Sequence, residues 1–242
     1  MGRFWIITGA SRGLGAALAR AAVASGGAVL GLARQPSAAG ESLCVDLGDP
    51  QAAADALAAA LQARALGDFA QLLLVNNAAV LGPVGSDYTV AEAARHYTIN
   101  VLAPIALGQA FIAATAGLAA RRRILNISSG AASRPFAGWN LYCSSKAALE
   151  MHGRCLALEQ QTAACPVEVV AISPGVIDTG MQAQIRSCDA AVFPDVARFL
   201  ALHQEGALQA PEAVASALLA GSASSRRFAG ETLTLAEWAA SD

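Results

Sequence analysis

Charge is scarce in this sequence. Of its 242 residues only 14% are Asp, Glu, Lys or Arg, and they balance to −2 at neutral pH. That leaves no basic face for a nucleic-acid backbone. Long apolar runs are missing as well. Hydrophobic residues make up 55% of the chain, yet no uninterrupted stretch reaches the roughly 18 residues of a membrane-spanning helix. Residues 13–33 come nearest, and Arg12, Arg20 and the Gly26-Gly27 pair interrupt them. Metal-ligand spacing is absent too: Cys44, Cys143, Cys155, Cys165 and Cys188 are scattered, and His96, His152 and His203 lie far apart. No metal is therefore expected, and the histidines read as helix-surface or satisfied residues. Met1-Gly2-Arg3 runs straight into a strand-like segment without a signal-peptide pattern, so reduced thiols and a cytoplasmic location are expected. What remains is a length that suits one domain, 1–242, with a large core and buried subunit interfaces.

The first part of the chain is locally the most informative. Residues 4–8 (FWIIT) form an apolar strand pattern, GASRGLG follows at 9–15, and an Ala-rich helical pattern covers 16–25. A strand, a glycine turn and a helix start together make a phosphate cradle. Glycines let backbone approach a ligand, and the helix N-terminus offers free N–H groups and the positive end of its dipole. The spacing here is G-x-x-x-G-x-G, and a helix start with small residues for packing is the plainer alternative. A second strand, 28–33, ends at Arg34 with no acidic residue to bond a ribose 2′-hydroxyl. Arg34, with Arg12 in the turn, suits a 2′-phosphate and favours NADP(H); the alternative is that both are solvated surface charges. A third strand at 43–45 puts Asp46 and Leu47 where an adenine ring would lie. A fourth, 72–75, runs into Asn76-Asn77-Ala78, polar residues expected both to tie strands together and to touch cofactor.

Further on, helices predicted over 50–66, 90–118, 142–163 and 211–220 alternate with strands at 124–127, 167–172 and 231–235. Such alternation implies a parallel sheet with helices on both faces. Residues 179–209 read as short helices around Phe193-Pro194, and 176–210 is expected to form a lid over a substrate. The stretch NISSGAASRPFAGWNLYCSSK, 126–146, holds the chemistry. Tyr142 and Lys146 stand four apart in a helical pattern, so a phenol and an ammonium share one face. A cation beside a phenol lowers its pKa from about 10 and favours phenolate. Ser129, at the end of a strand, aims a hydroxyl at the same space, and Cys143 lies beside it. The chemistry predicted is proton exchange with a carbonyl or alcohol oxygen, although ordinary helix packing often produces the same spacing. Asn100, a polar residue in an apolar helical stretch, needs a partner, and its plainest role is structural.

In order along the chain, TGASRGLG (8–15), NNA (76–78), Asn100, Ser129, Tyr142, Lys146 and PGVIDT (174–179) resemble the markers of the classical short-chain dehydrogenase/reductase family. The resemblance covers essentially the whole chain, and Ala79 departs from it where the family usually has glycine. It implies a single-domain α/β Rossmann fold, a doubly wound parallel seven-stranded sheet with helices on both faces. It implies that Tyr142 passes the proton, that Lys146 lowers the tyrosine pKa and holds the nicotinamide ribose, that Ser129 bonds the substrate oxygen and that Asn100 positions a relay water. Gly9, Ser11, Arg12, Gly13, Leu14, Gly15, Arg34, Asp46, Leu47, Asn77, Ala78, Tyr142, Lys146, Pro174, Gly175, Ile177 and Thr179 are the expected cofactor contacts. RPFAGWNLYCSSKAALEM and SPGVIDTGMQAQIR look more like the sepiapterin reductase and bacterial benzil reductase branch, which reduces vicinal dicarbonyls and related ketones. The acidic residue that sepiapterin reductases place near the C-terminus falls on Thr234 here. Phe136, Trp139, Met181 and Ile185, with Phe193, are the expected apolar substrate pocket, ordinary core or subunit packing being the alternative. The expected activity is NADPH-dependent reduction of a small aromatic or 1,2-dicarbonyl compound. The alternatives are a pteridine-type reductase and a catalytically silent NADPH-binding sensor. The family also implies a homodimer or homotetramer in contact through 90–118 and 142–163, with no nucleic acid and no membrane as partner.

Overall fold

In the computed structural model, which describes residues 2–241, the alternating pattern becomes one α/β domain. The expected domain bounds at 1 and 242 lie outside the described residues. The strands are β1 (Gly2–Thr8), β2 (Ala28–Ala33), β3 (Glu41–Cys44), β4 (Phe69–Asn76), β5 (Arg121–Ile127), β6 (Val167–Ser173) and β7 (Ala229–Thr234). They form a seven-stranded sheet in the order β3-β2-β1-β4-β5-β6-β7, every pair parallel. The helices are α1 (Gly13–Ala24), α2 (Pro50–Gln62), α3 (Val90–Tyr97), α4 (Ala103–Ala114), α5 (Asn140–Gln160), α6 (Gly180–Arg186), α7 (Val196–Gln204), α8 (Pro211–Ser222) and α9 (Leu235–Ala239). Trp5, Ile7, Leu73 and Val75 pack under α1, α8 and α9. Ile6, Leu72, Leu74 and Ile124 pack under α2, α4 and α5 on the other face. Both faces of the central strands are thus dry, which is why they read as continuous apolar runs.

Several boundaries differ from the predicted ones, each for a local reason. β5 begins at Arg121, three residues before the apolar run, because Glu168 on β6 stands opposite Arg123 in register and pairs with both Arg121 and Arg123. β7 ends at Thr234 and not at Leu235, because Thr234 and Glu237 form a capping box that starts α9. α5 starts at Asn140, before Tyr142, and ends at Gln160; α2 ends at Gln62. The predicted helix 90–118 contains a π-turn at Thr98–Leu102 and ends at Ala114. By length and composition the stretch Val90–Ala114 is able to cross a membrane, yet its Leu107 and Phe111 are fully buried against the sheet.

The chain runs outward from β1 to β3, then returns to place β4 on the other side of β1. The loops leaving β1 and β4 diverge there, and the crevice between them, at the carboxyl ends of the strands, is where such sheets bind ligands.

Candidate active site

Thr8 joins the two diverging loops. Its Oγ1 accepts the backbone N–H groups of Asn77 and Ala78, both at 2.9 Å, and Asn77 Nδ2 donates to the Thr8 carbonyl at 2.8 Å. Asn76 Nδ2 donates to Asn126 Oδ1 at 2.8 Å, tying β4 to β5 as expected of a polar residue at a strand end. The turn then closes on itself: a Cβ on Gly15 would stand 2.3 Å from the Gly9 carbonyl oxygen and 2.6 Å from Asn77 Nδ2. α1 starts at Gly13 with no side chain capping its first N–H groups, so Ser11, Arg12, Gly13, Leu14 and Gly15 surround a cradle for an anion. This uncapped, glycine-walled helix start fits the pyrophosphate of a dinucleotide. Arg12 and Arg34 are exposed and, among the described residues, join no ion pair. The Asp46 carboxylate accepts the Gly48 N–H at 2.8 Å, and Leu47 and Ala78 contribute to the core beneath.

The loop after β6 faces this cradle, since a Cβ on Gly13 would lie 3.5 Å from Thr179. Its shape depends on Gln209, a residue the motifs do not reveal. Gln209 Nε2 donates to the Pro174 carbonyl at 2.8 Å, its backbone N–H donates to Val176, and its carbonyl accepts the Asp178 N–H. Gly175 turns at φ +83°, leaving space that Gln209 fills, and Ile177 bridges to Gln209. Gln209 lies 35 residues from Pro174, so no local pattern announces the pairing.

Tyr142 and Lys146 rise from the first turns of α5, and Lys146 is the only lysine in the sequence. Both are buried, at 9% and 3% exposure. Lys146 Nζ donates to the Ile127 carbonyl at 2.7 Å and lies 5.8 Å from the centre of the Tyr142 ring. Burial lowers this ammonium to about 8, and Glu150, one turn on, opposes that shift. The tyrosine departs from expectation. Burial pushes the phenol up to about 12, while hydrogen bonding with the Ser129 hydroxyl pulls it down. The net shift is upward, against the lowering expected from Lys146, because burial outweighs the other contributions. Ser129 Oγ accepts the Ala131 N–H at 3.1 Å, so its own proton serves the bond to the Tyr142 oxygen. Asn100 lies in the π-turn with its amide fully engaged: Oδ1 accepts the Val80 N–H and Nδ2 donates to the Val80 carbonyl, both at 2.9 Å. His96 is buried beside it, with Nε2 3.0 Å from Ser145 Oγ and 3.1 Å from Asn100 Nδ2.

Over Tyr142 lies an apolar cluster built from Leu81, Trp139, Ile185, Phe193, Val196 and Phe199, with Phe136, Cys143 and Met181 at its margin. The structure thus gathers the expected pocket residues around the phenol, but not all as lining. Trp139 stacks on Phe193 at 4.5 Å between ring centres and meets Tyr142 edge-on at 5.6 Å. Trp139, Ile185 and Phe193 are nearly or fully buried, so they pack the wall, and Phe136 and Met181 keep partly open surfaces. A separate cavity of about 400 Å³ opens at the opposite end of the sheet beside Arg121, Arg122, Cys165 and Glu168. Its Arg121 is paired with Glu168 and Arg122 donates to Thr115 and Cys165, so it offers no comparable chemistry.

The model of the short chain dehydrogenase family matches residues 3–190. A benzil reductase ((S)-benzoin forming) from Bacillus subtilis (strain 168) is 36% identical over 221 residues, covering 89% of this chain and 91% of that protein. A sepiapterin reductase from Rattus norvegicus is 32% identical over 229 residues, covering 84% of each. Among solved structures, the KRED1-Pglu enzyme superposes with a TM-score of 0.81 at 26% identity, over 95% of this chain and 99% of that one. With a family model matched over most of its length and a tyrosine and a lysine on successive turns of α5, this protein is a member of the short-chain dehydrogenase/reductase family, oxidoreductases acting on carbonyl or hydroxyl groups through a nicotinamide cofactor.

Proposed function

We propose that this protein is an NADPH-dependent carbonyl reductase whose substrate is an aromatic or 1,2-dicarbonyl ketone of the benzil type. The carrying observation is the buried Tyr142 phenol at the edge of an aromatic cluster in which Phe136 and Met181 keep partly open surfaces: burial favours the neutral acid, and an apolar wall stands beside it. Similarity to benzil reductase over most of both chains supports the same reading.

When bound, the nicotinamide supplies a hydride, and the chain supplies place and proton. Tyr142 donates its proton to the substrate oxygen, which Ser129 also bonds through its hydroxyl. Lys146 would hold the ribose and keeps a positive charge beside the phenol ring. Asn100 fixes the loop after β4 through Val80 and so keeps the π-turn in place to order a relay water. Gly9, Ser11, Arg12, Gly13, Leu14 and Gly15 would hold the pyrophosphate, Asp46, Leu47, Asn77 and Ala78 would meet the rest of the dinucleotide, and Pro174, Gly175, Ile177 and Thr179 would hold the carboxamide. Arg12 and Arg34, unpaired among the described residues, bind the 2′-phosphate. Residues 176–210, which carry α6 and α7, form the substrate lid. Leu102, Met151 and Leu158, at 51%, 56% and 62% exposure, present apolar surface on the 90–118 and 142–163 helices and support a homodimer or homotetramer. Five free cysteines fit a reducing, cytoplasmic setting.

The test is a substrate panel of benzil and other 1,2-diones, sepiapterin and 3-oxoacyl thioesters, run with NADPH and NADH and followed by nicotinamide absorbance. Highest kcat/KM on an aromatic dione with NADPH is expected. Preference for the pterin reassigns the substrate, and cofactor binding without turnover on any member sinks the reductase reading.

A further inference from the structure

The ladder of four-residue steps on α5 does not stop at Lys146. Tyr142, Lys146, Glu150 and Arg154 follow one another on one face of the helix. Glu150 is 7% exposed, and a carboxylate so far from water needs partners. Its Oε1 accepts the Ser128 hydroxyl at 2.5 Å, and its Oε2 accepts Thr232 Oγ1 at 3.3 Å. Arg154 reaches Oε2 only at 3.5 Å from a half-exposed side chain, a pairing that contributes little.

Ser128 lies between the two groups that matter. Before it is Ile127, whose carbonyl accepts Lys146 Nζ; after it is Ser129. Its backbone N–H is already tied to Ile172 at 2.8 Å, so the grip of Glu150 on its side chain completes the fixing of this strand end. Lys146 has no direct ion pair among the described residues, and Glu150 is the acid one turn away. From this arrangement we propose that Glu150 is a positioning residue for the reduction: it anchors the end of β5 through Ser128 and sets a negative charge one helical turn from the buried ammonium. The proposal rests on the reductase reading of the same site.

The ionisable groups around Lys146 are Tyr142 and Glu150 on its own helix, Arg154 two turns on, and His96 from α3, whose protonation burial and then the Lys146 charge oppose. Ser128, just past β5, and Thr232 on β7 face Glu150, and neither is ionisable. Because the chain has a single lysine, isotope-labelled lysine gives one side-chain NMR signal, and its pH titration in the cofactor-free protein reports this ammonium directly. Glu150→Gln keeps the shape and the acceptor for Ser128 but removes the charge. Its lysine midpoint is expected to fall by about one unit, and the alkaline limb of kcat/KM to move the same way. Ser128→Ala keeps the charge and frees the strand, lowering kcat with little change in the midpoint. An unchanged lysine midpoint together with wild-type kcat/KM in Glu150→Gln overturns the proposal. If that variant does not fold, Glu150→Asp retains the charge and loses reach: reduced kcat with a near-normal midpoint supports the role, and wild-type values of both overturn it. A wild-type protein that reduces no carbonyl sinks the reductase reading instead, and the lysine titration then still decides whether Glu150 governs the ammonium.

Discussion

Burial moves Tyr142 and Lys146 toward neutrality from opposite sides. The phenol rises to about 12 and the ammonium falls to about 8, because taking either charge out of water is costly. At neutral pH both therefore keep their protons, which is the state reduction requires. Replacing Tyr142 by Phe removes the donor and little volume, so kcat/KM for reduction is expected to fall by roughly 10²–10⁴-fold. NADPH binding, followed by fluorescence titration, stays close to wild type; retained turnover would remove Tyr142 from the role of acid. The pH dependence has a definite sign. Lys146 is charged below about 8 and neutral above it, while Tyr142 stays protonated throughout this range. The kcat/KM for reduction is thus level through neutrality and declines as pH rises through about 8, and a profile flat to pH 10 would contradict it. The tyrosine and lysine were legible from a four-residue spacing. The upward shift of the phenol was not, because it depends on solvent exclusion by the Trp139 cluster, which no spacing encodes.

At the scale of elements, β1, the glycine turn and α1 act as one part. Gly15 meets the Gly9 carbonyl oxygen so closely that Gly15→Ala must push backbone against backbone. A loss of about 1–3 kcal/mol is expected, as for other overpacked sites, together with weakened dinucleotide binding. Thermal melts without cofactor and NADPH titrations check both, and an unchanged melt would show that the turn is slack. β2 delivers Arg34 into solvent beside that turn. Arg34→Glu is expected to lower the NADPH-to-NADH ratio of kcat/KM at least tenfold, equivalent to about 1.4 kcal/mol of lost charge pairing. Equal ratios in the two proteins would place the 2′-phosphate elsewhere. These elements were visible in sequence because strand, turn and helix are contiguous there. The π-turn at Asn100 and the Gln209 clamp were not, since each depends on partners brought from distant parts of the chain.

At the scale of the whole molecule, the end of the sheet opposite the site is held together by a largely buried charge network. Arg123 is fully buried and bonds Glu168 through Nε at 3.1 Å and Nη2 at 2.9 Å. Its guanidinium lies over Phe228 at 4.8 Å and Trp238 at 5.3 Å, so β5, β6, the approach to β7 and α9 meet on one cation. Glu168→Ala leaves that cation without its acid, and a destabilisation of about 3–5 kcal/mol is expected, read from urea denaturation. A midpoint shift under about 1 kcal/mol would show that the aromatic rings and carbonyls alone suffice. The predicted strand begins at 124, after the arginine run, because hydropathy alone cannot see a carboxylate on the neighbouring strand.

By itself the sequence determined the alternation of strands and helices, the glycine-rich helix start and the placing of a tyrosine and a lysine on one helix face. Each of these depends on periodicity or on residues close together in the chain. Tertiary structure alone decided that Arg122 and Arg123 are dry, which polar groups hold the loop after β6, and that the tyrosine beneath its aromatic cover is shut away from water. Those outcomes depend on desolvation and on partners many residues away, and both come into being only when the sheet closes.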